Sequence, residues 1–143
     1  MRPLLGRFLA SLVAVTVVAA SGSLVAQPRT ELSTITMDAV SGKAAVGLRI
    51  ELYEVSSEKP RQIAEAVTGE DGRAVLLKAG PIPPATYELR FQTAEYFLKE
   101  GVSVGDPPAL DYVVVRFTVT DPAGHYHVPL IFTPWGYTTY RGS

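Results

Sequence analysis

From residue 32 onward the chain alternates apolar and polar positions with a period of two. Leu48, Ile50 and Leu52 are interleaved with Arg49, Glu51 and Tyr53, and Tyr87, Leu89 and Phe91 with Glu88, Arg90 and Gln92. Val113, Val115, Phe117 and Val119 share one face, while Arg116 and Thr118 occupy the other. A two-residue period over such lengths predicts half-buried β-strands. Turn signals punctuate them. Ser41-Gly42 follows the first strand, and Asp71-Gly72 predicts a hairpin joining Ala64–Thr68 to Arg73–Leu77. Gly80–Pro84 and Gly105–Pro108 read as loops. One helix is expected over Ala94–Glu100, capped by Thr93 and stopped by Gly101. About eight short strands and one small helix imply an all-β fold, a two-sheet Greek-key sandwich.

Composition changes this picture mainly at the front. Arg2 and Arg7 precede an uncharged run, Phe8–Ala26, that ends in small residues. A basic head, an apolar stretch and a small-residue end describe a secretory signal peptide over residues 1–26, with a retained membrane anchor as the competing reading. The domain then occupies residues 27–143, and the protein is expected to be secreted or periplasmic. Those first residues hold two arginines and no acid, so the remainder has 11 basic against 14 acidic residues. That balance offers no basic stripe for nucleic acid. Cysteine is absent. An exported domain of this kind stands on its core or on oligomerisation, and thiolate metal sites are excluded.

Three features could carry chemistry. On a strand, the alternation of His125-Tyr126-His127-Val128-Pro129-Leu130 sends Tyr126, Val128, Leu130 and Phe132 toward the core. It turns His125, His127 and Ile131 to the opposite face. These are the only two histidines in the chain. The pair can be a solvated outer face, two ligands of a zinc site still lacking a third and fourth, or an acid–base device, since imidazole titrates near neutral pH. Arg73 opens a strand directly after Asp71-Gly72. It reads as a surface arginine or as a planar fork suited to a flat anionic ring. The ending Tyr137-Thr138-Thr139-Tyr140-Arg141-Gly142-Ser143 reads as a docked segment or a plain polar tail, and composition favours the tail.

Together these segments resemble the transthyretin-related 5-hydroxyisourate hydrolases. Leu32-Ser33-Thr34 with Asp38, then Ser41-Gly42-Lys43-Ala44-Ala45, is similar to that family's opening strand and turn. Thr68 with Asp71-Gly72-Arg73 resembles its second motif, and Tyr96-Phe97 its short helix. His125-Tyr126-His127-Val128-Pro129-Leu130, then Gly136-Tyr137 and the ending Tyr140-Arg141-Gly142-Ser143, resembles its terminal signature. The likeness spans about residues 31–143. It implies a homotetramer with a central channel that hydrolyses the ring of 5-hydroxyisourate, in urate breakdown, to an imidazoline carboxylate. No metal or organic cofactor is implied. Carried over position by position, His127 and Ser143 would activate water, Arg73 and Tyr140 would bind substrate, Arg141 would support the tail, and His125 would be a neighbour in the channel.

One position departs from the pattern. The family places a histidine three residues after the leucine of its first motif, where this chain has Ile35. Alternation puts Ser33, Ile35 and Met37 on one face, so the channel wall gains an aliphatic side chain. One acid–base group is worth about 10²–10⁴ in rate. The alternative to a hydrolase is therefore a non-catalytic, transthyretin-like carrier of a small apolar aromatic ligand. The complete set of Arg73, His127 and the tail favours the hydrolase.

Overall fold

The computed structural model describes residues 30–142, so the expected signal peptide and Ser143 lie outside the described part. Ten strands and one helix follow in order: β1 Glu31–Asp38, β2 Lys43–Ala44, β3 Arg49–Glu54, β4 Arg61–Val67, β5 Arg73–Lys78 and β6 Ala85–Phe91. Helix α1 spans Thr93–Lys99, and β7 Val113–Val119, β8 His125–His127, β9 Leu130–Thr133 and β10 Gly136–Thr139 complete the chain. One sheet runs β4-β3-β6-β7, all antiparallel. The other is organised around β1. Antiparallel β5 and β2 lie along one of its edges, and parallel β8 and β9 along the other, with β10 beyond β9. Pro129 has no N–H to give the ladder, which explains why β8 and β9 are separate strands on one path. Among the described residues no helix is long and apolar enough to cross a membrane.

The expected two-sheet sandwich is present, and the period-two faces meet between its sheets. Leu48, Ile50 and Leu52 of the β3 region pack with Tyr87, Leu89 and Phe91 of β6 and with Val113 and Val119 of β7. From the second sheet come Leu32, Leu76, Tyr126, Val128, Leu130 and Phe132. Helix α1 closes one end by seating Tyr96 and Phe97 against Phe132, with ring centroids 5.2–5.5 Å apart.

β1 is unusual because its inward residues after Leu32 are polar: Thr34, Thr36 and Asp38, all essentially inaccessible. Buried polar groups must find partners, and these attach β1 to its surroundings. Thr34 Oγ1 donates to the Val128 carbonyl at 2.6 Å, and Thr36 Oγ1 to the Gly72 carbonyl at 3.1 Å. The Asp38 carboxylate accepts from Val40 N–H, Ser41 N–H and the Ser41 hydroxyl, and from the Tyr96 hydroxyl at 3.4 Å. Burial, with the Asp38 charge beside it, pushes the Tyr96 phenol up to about 12.

Two local expectations are corrected. Asp71-Gly72 does reverse the chain, through Gly72 N–H to Gly69 O and Gly69 N–H to Arg73 O, both 2.9 Å. It does not make a hairpin: β4 pairs with β3, whereas β5 pairs with β1. The turn carries the chain from one sheet to the other, because the Gly72 carbonyl is taken by Thr36 N–H at 2.9 Å and so tied to β1. Thr93 does not cap the helix. It sits in the first turn with its hydroxyl buried and without a partner among the described residues. The Ala94 N–H is satisfied by the Asp111 carbonyl at 3.1 Å instead. The expected stop holds, since Gly101 adopts φ +73°.

The Gly72 anchor yields a stability prediction. This residue has φ +73°, and a Cβ on it would lie 2.4 Å from the Thr36 carbonyl oxygen. Gly42 has a similar φ of +71° but open space around it. Gly72→Ala is expected to cost about 1–3 kcal/mol beyond the left-handed strain of about 1 kcal/mol shared with Gly42→Ala. Urea unfolding of the two variants side by side measures the difference, and equal midpoints would contradict it.

Candidate functional site

The face of the β1 sheet that points away from the core carries the chemistry. On β1 it presents Glu31, Ser33, Ile35 and Met37, with Met37 the most exposed. Cross-strand partners share a face, so the pairings Ile35↔Arg73, Ser33↔His127 and Glu31↔His125 bring β5 and β8 side chains to the same side. This is how Ser33 and His127, 94 positions apart, come together. The expected orientation of the histidine strand holds: Tyr126, Val128, Leu130 and Phe132 are buried, while His125 and His127 project together from the other face. Their rings are parallel within 5° with centroids 6.5 Å apart.

His127 is the most constrained of these groups. Its Nδ1 shares a 3.0 Å hydrogen bond with the Ser33 hydroxyl, and Ser33 is itself buried. Burial is the main force holding its imidazole below the ordinary value. The Arg73 and His125 charges act in the same direction, and Glu31 opposes them. The ring is therefore held toward its neutral form, which can accept a proton. Beside it, the His125 Nε2 lies 3.9 Å from the Glu31 carboxylate.

Arg73 stands across β1 from the histidine strand. Its backbone N–H is held by Asp71 Oδ1 at 3.0 Å, its Nε is 3.7 Å from Asp71 Oδ2, and its side chain is 58% exposed. Among the described residues its side chain makes no hydrogen bond with His127. The last described residues are docked, against the preference of composition for a loose polar tail. β10 pairs with β9, Thr139 Oγ1 donates to the Pro129 carbonyl at 2.8 Å, and Gly142 N–H donates to the His127 carbonyl at 2.9 Å. Backbone pairing outweighs side-chain polarity here, because the β9 edge offers a row of backbone partners. The Arg141 guanidinium lies 5.8 Å above the Tyr126 ring. Ser143 follows outside the described residues.

Two grooves meet at Tyr140. One, of about 300 Å³, is lined mainly by Ile35, Met37, Pro129, Ile131 and Tyr140. The other, of about 280 Å³, lies toward β7 and includes Arg116, Phe117, Tyr126, His127, Tyr140 and Arg141. Ile35 thus gives the first groove an aliphatic floor beside Arg73, as the alternation implied. Among the described residues no group of three or more His, Asp or Glu side chains is arranged to hold a metal ion. Sequence reasoning missed the Ser33–His127 bond, the Glu31–His125 approach and the close packing of Gly142. The first two depend on the parallel β1–β8 pairing and the third on the tail docking against β8, and no local sequence signal exists for either.

Known proteins resemble this chain over most of its length. Residues 32–142 match the HIUase/Transthyretin family. A 5-hydroxyisourate hydrolase of Deinococcus radiodurans is 50% identical over 114 residues, covering 78% of this chain and 95% of that protein. The solved structure of Klebsiella pneumoniae 5-hydroxyisourate hydrolase matches with a TM-score of 0.67 at 28% identity, covering 80% of this chain and 100% of that one. The crystal structure of (S)-allantoin synthase matches with a TM-score of 0.73 at 36% identity, but the match covers 82% of this chain and only 45% of the other. With a match across nearly the whole described domain and a relative at half identity, the chain belongs to the HIUase/Transthyretin family.

Proposed function

We propose that this protein is a 5-hydroxyisourate hydrolase, opening a C–N bond of the substrate ring with water in urate breakdown. The observation that carries the reading is His127, a neutral-leaning imidazole fixed by Ser33 and lining a groove, in a chain 50% identical to a protein of that name. In this mechanism His127 takes a proton from water, and the resulting hydroxide adds to the ring carbonyl. The C–N bond then breaks, the leaving nitrogen takes the proton back from the imidazolium, and the carboxylic acid formed loses its remaining proton to solvent and departs as the carboxylate. Arg73 pairs with the anionic substrate and with the oxygen that gains charge, where a forked donor is most effective. Tyr140 contacts the ring, and Arg141 anchors the tail by stacking on Tyr126. Ser143 assists the water, and His125 borders the site.

The working unit is a homotetramer, and the mature protein is periplasmic or secreted after removal of residues 1–26. Two observations support assembly. Met37, Ile131, Trp135, Tyr137 and Tyr140 are all at least 36% exposed on or beside β1, β9 and β10. β10 also has an open edge among the described residues. A second reading, a carrier of an apolar aromatic ligand, is favoured by the aliphatic groove over Ile35, Met37 and Ile131. The two readings separate experimentally.

The deciding assay generates 5-hydroxyisourate with urate oxidase and follows its ultraviolet decay with and without the mature domain. Micromolar protein should outrun the spontaneous decay, and His127→Ala should lower kcat by about 10²–10⁴. Decay no faster than spontaneous would remove the hydrolase reading, and stabilisation by an aromatic ligand would then support the carrier.

The depressed proton affinity of His127 sets the pH dependence. The rate should rise with pH through a midpoint below the ordinary imidazole value of about 6.5 and level off above it. An unfolded chain binds this proton more readily than the folded one, so stability from this group is complete above about pH 6.5 and is lost as pH falls through the folded value. Replacing the aliphatic wall by Ile35→His should increase kcat if the groove keeps its shape, measurable in the same decay assay.

A further inference from the structure

We infer that Ser33 is a positioning residue, which holds His127 as the tautomer protonated on Nδ1 and thereby makes Nε2 the atom that meets water. The inference rests on the reading of His127 as the base and assigns what orients it.

The geometry leaves the ring few choices. One nitrogen, Nδ1, is engaged by the Ser33 hydroxyl at 3.0 Å. That hydroxyl belongs to a buried residue and can either donate to the ring or accept from it, so the tautomer of His127 sets the direction of the bond. The other side of the ring is occupied by backbone. A Cβ placed on Gly142 would lie 2.5 Å from His127 Cδ2 and 3.2 Å from Cγ, so only glycine allows the chain to pass this close. Gly142 N–H also ties to the His127 carbonyl, and Val128 N–H to the Ser33 carbonyl. The imidazole therefore sits between a hydroxyl on one side and a glycine backbone on the other, and its strand is pinned to both. Its Nε2 makes no hydrogen bond among the described residues and is the ring nitrogen left for the groove.

The position of the single proton on a neutral imidazole then decides competence. With Ser33 donating to Nδ1, the proton would sit on Nε2 and the lone pair would face a serine. With Nδ1–H donating to the Ser33 oxygen, the lone pair on Nε2 faces the groove. Only the second state can take a proton from water there. The same bond strengthens when the ring becomes an imidazolium, because a charged donor binds the hydroxyl oxygen more tightly. Ser33 thus stabilises the protonated intermediate as well as the productive tautomer. The charged groups acting on the ring's proton affinity are Glu31 on β1, Arg73 on β5 and His125 on β8, while Arg116, Tyr126, Tyr140 and Arg141 share its groove, and none of them hydrogen-bonds to Nδ1.

Three variants of the mature protein test this. Ser33→Ala should lower kcat about 10–100-fold with little change in KM, as expected when the partner orienting a functional histidine is removed. It should also move the acid limb of the pH–rate profile to lower pH, since the imidazolium loses a hydrogen bond. Ser33→Thr, which keeps the hydroxyl, should restore both, and Gly142→Ala should depress kcat by displacing the ring. Long-range ¹⁵N–¹H spectra of the histidine rings, recorded above pH 7, should show wild-type His127 protonated on Nδ1 and Ser33→Ala as a tautomer mixture. An unaltered pH profile in Ser33→Ala, or a wild-type spectrum with the proton on Nε2, would overturn the assignment. The spectra need no turnover, so they judge Ser33 even if the decay assay eliminates the hydrolase. If Ser33→Ala does not fold, the wild-type spectrum alone decides.

Discussion

The structure depends on β1 being held along both edges at once. Antiparallel β5 and parallel β8 pair with the same residues, 31–33, and β2 and β9 repeat the arrangement at 37–38. A strand paired on both sides has every outward side chain at a fixed height and direction. Ser33 and Ile35 consequently become fixed points from which His127 and Arg73 are positioned. The inward threonines and Asp38 reinforce this, because each buried polar side chain is satisfied by a different neighbouring segment. Removing β1 from either edge would leave those groups buried without partners, which is more costly than the loss of the hydrogen bonds themselves.

Much of the fold was legible because period-two alternation is a direct image of a sheet with one face buried. Strands β3 and β6 needed no other information: Ile50, Leu52, Leu89 and Phe91 are all essentially inaccessible. Legibility failed where the outcome depended on long-range pairing. Asp71-Gly72 encodes a reversal but not the identity of the ladder beyond it, and the Thr36–Gly72 bonds send β5 to the other sheet. Thr93 has the chemistry of a cap, yet the Asp111 carbonyl supplies the partner from a distant loop. In the site, the directions of His125 and His127 followed from alternation. Their distances to Ser33, Glu31 and Gly142 did not, since pairing between segments so far apart in the chain leaves no local trace.

The electrostatics of the face follow from its unequal wetting. Toward Met37 and Ile131 the wall is aliphatic, while Arg73, paired across the strands with Ile35, stands exposed. A cation bordering low-polarity surface exerts a stronger field on a bound anion than the same cation in open water. The same field, with burial, discourages protonation of His127. An aliphatic Ile35 opposite Arg73 thus takes a titratable side chain out of this face.

The parallel contact between β1 and β8 has a consequence for biogenesis. Ser33 and His127 are 94 positions apart, so this edge of β1 can be covered only after nearly all the described chain has been made. Contacts this distant in sequence form slowly, because the entropy of closing the loop must be met before they are rewarded. Until then β1 offers an uncovered strand edge, the usual template for intermolecular pairing. Conditions that delay or truncate synthesis should therefore produce aggregated rather than merely inactive chains, and the imidazole environment reports completed folding as well as chemistry.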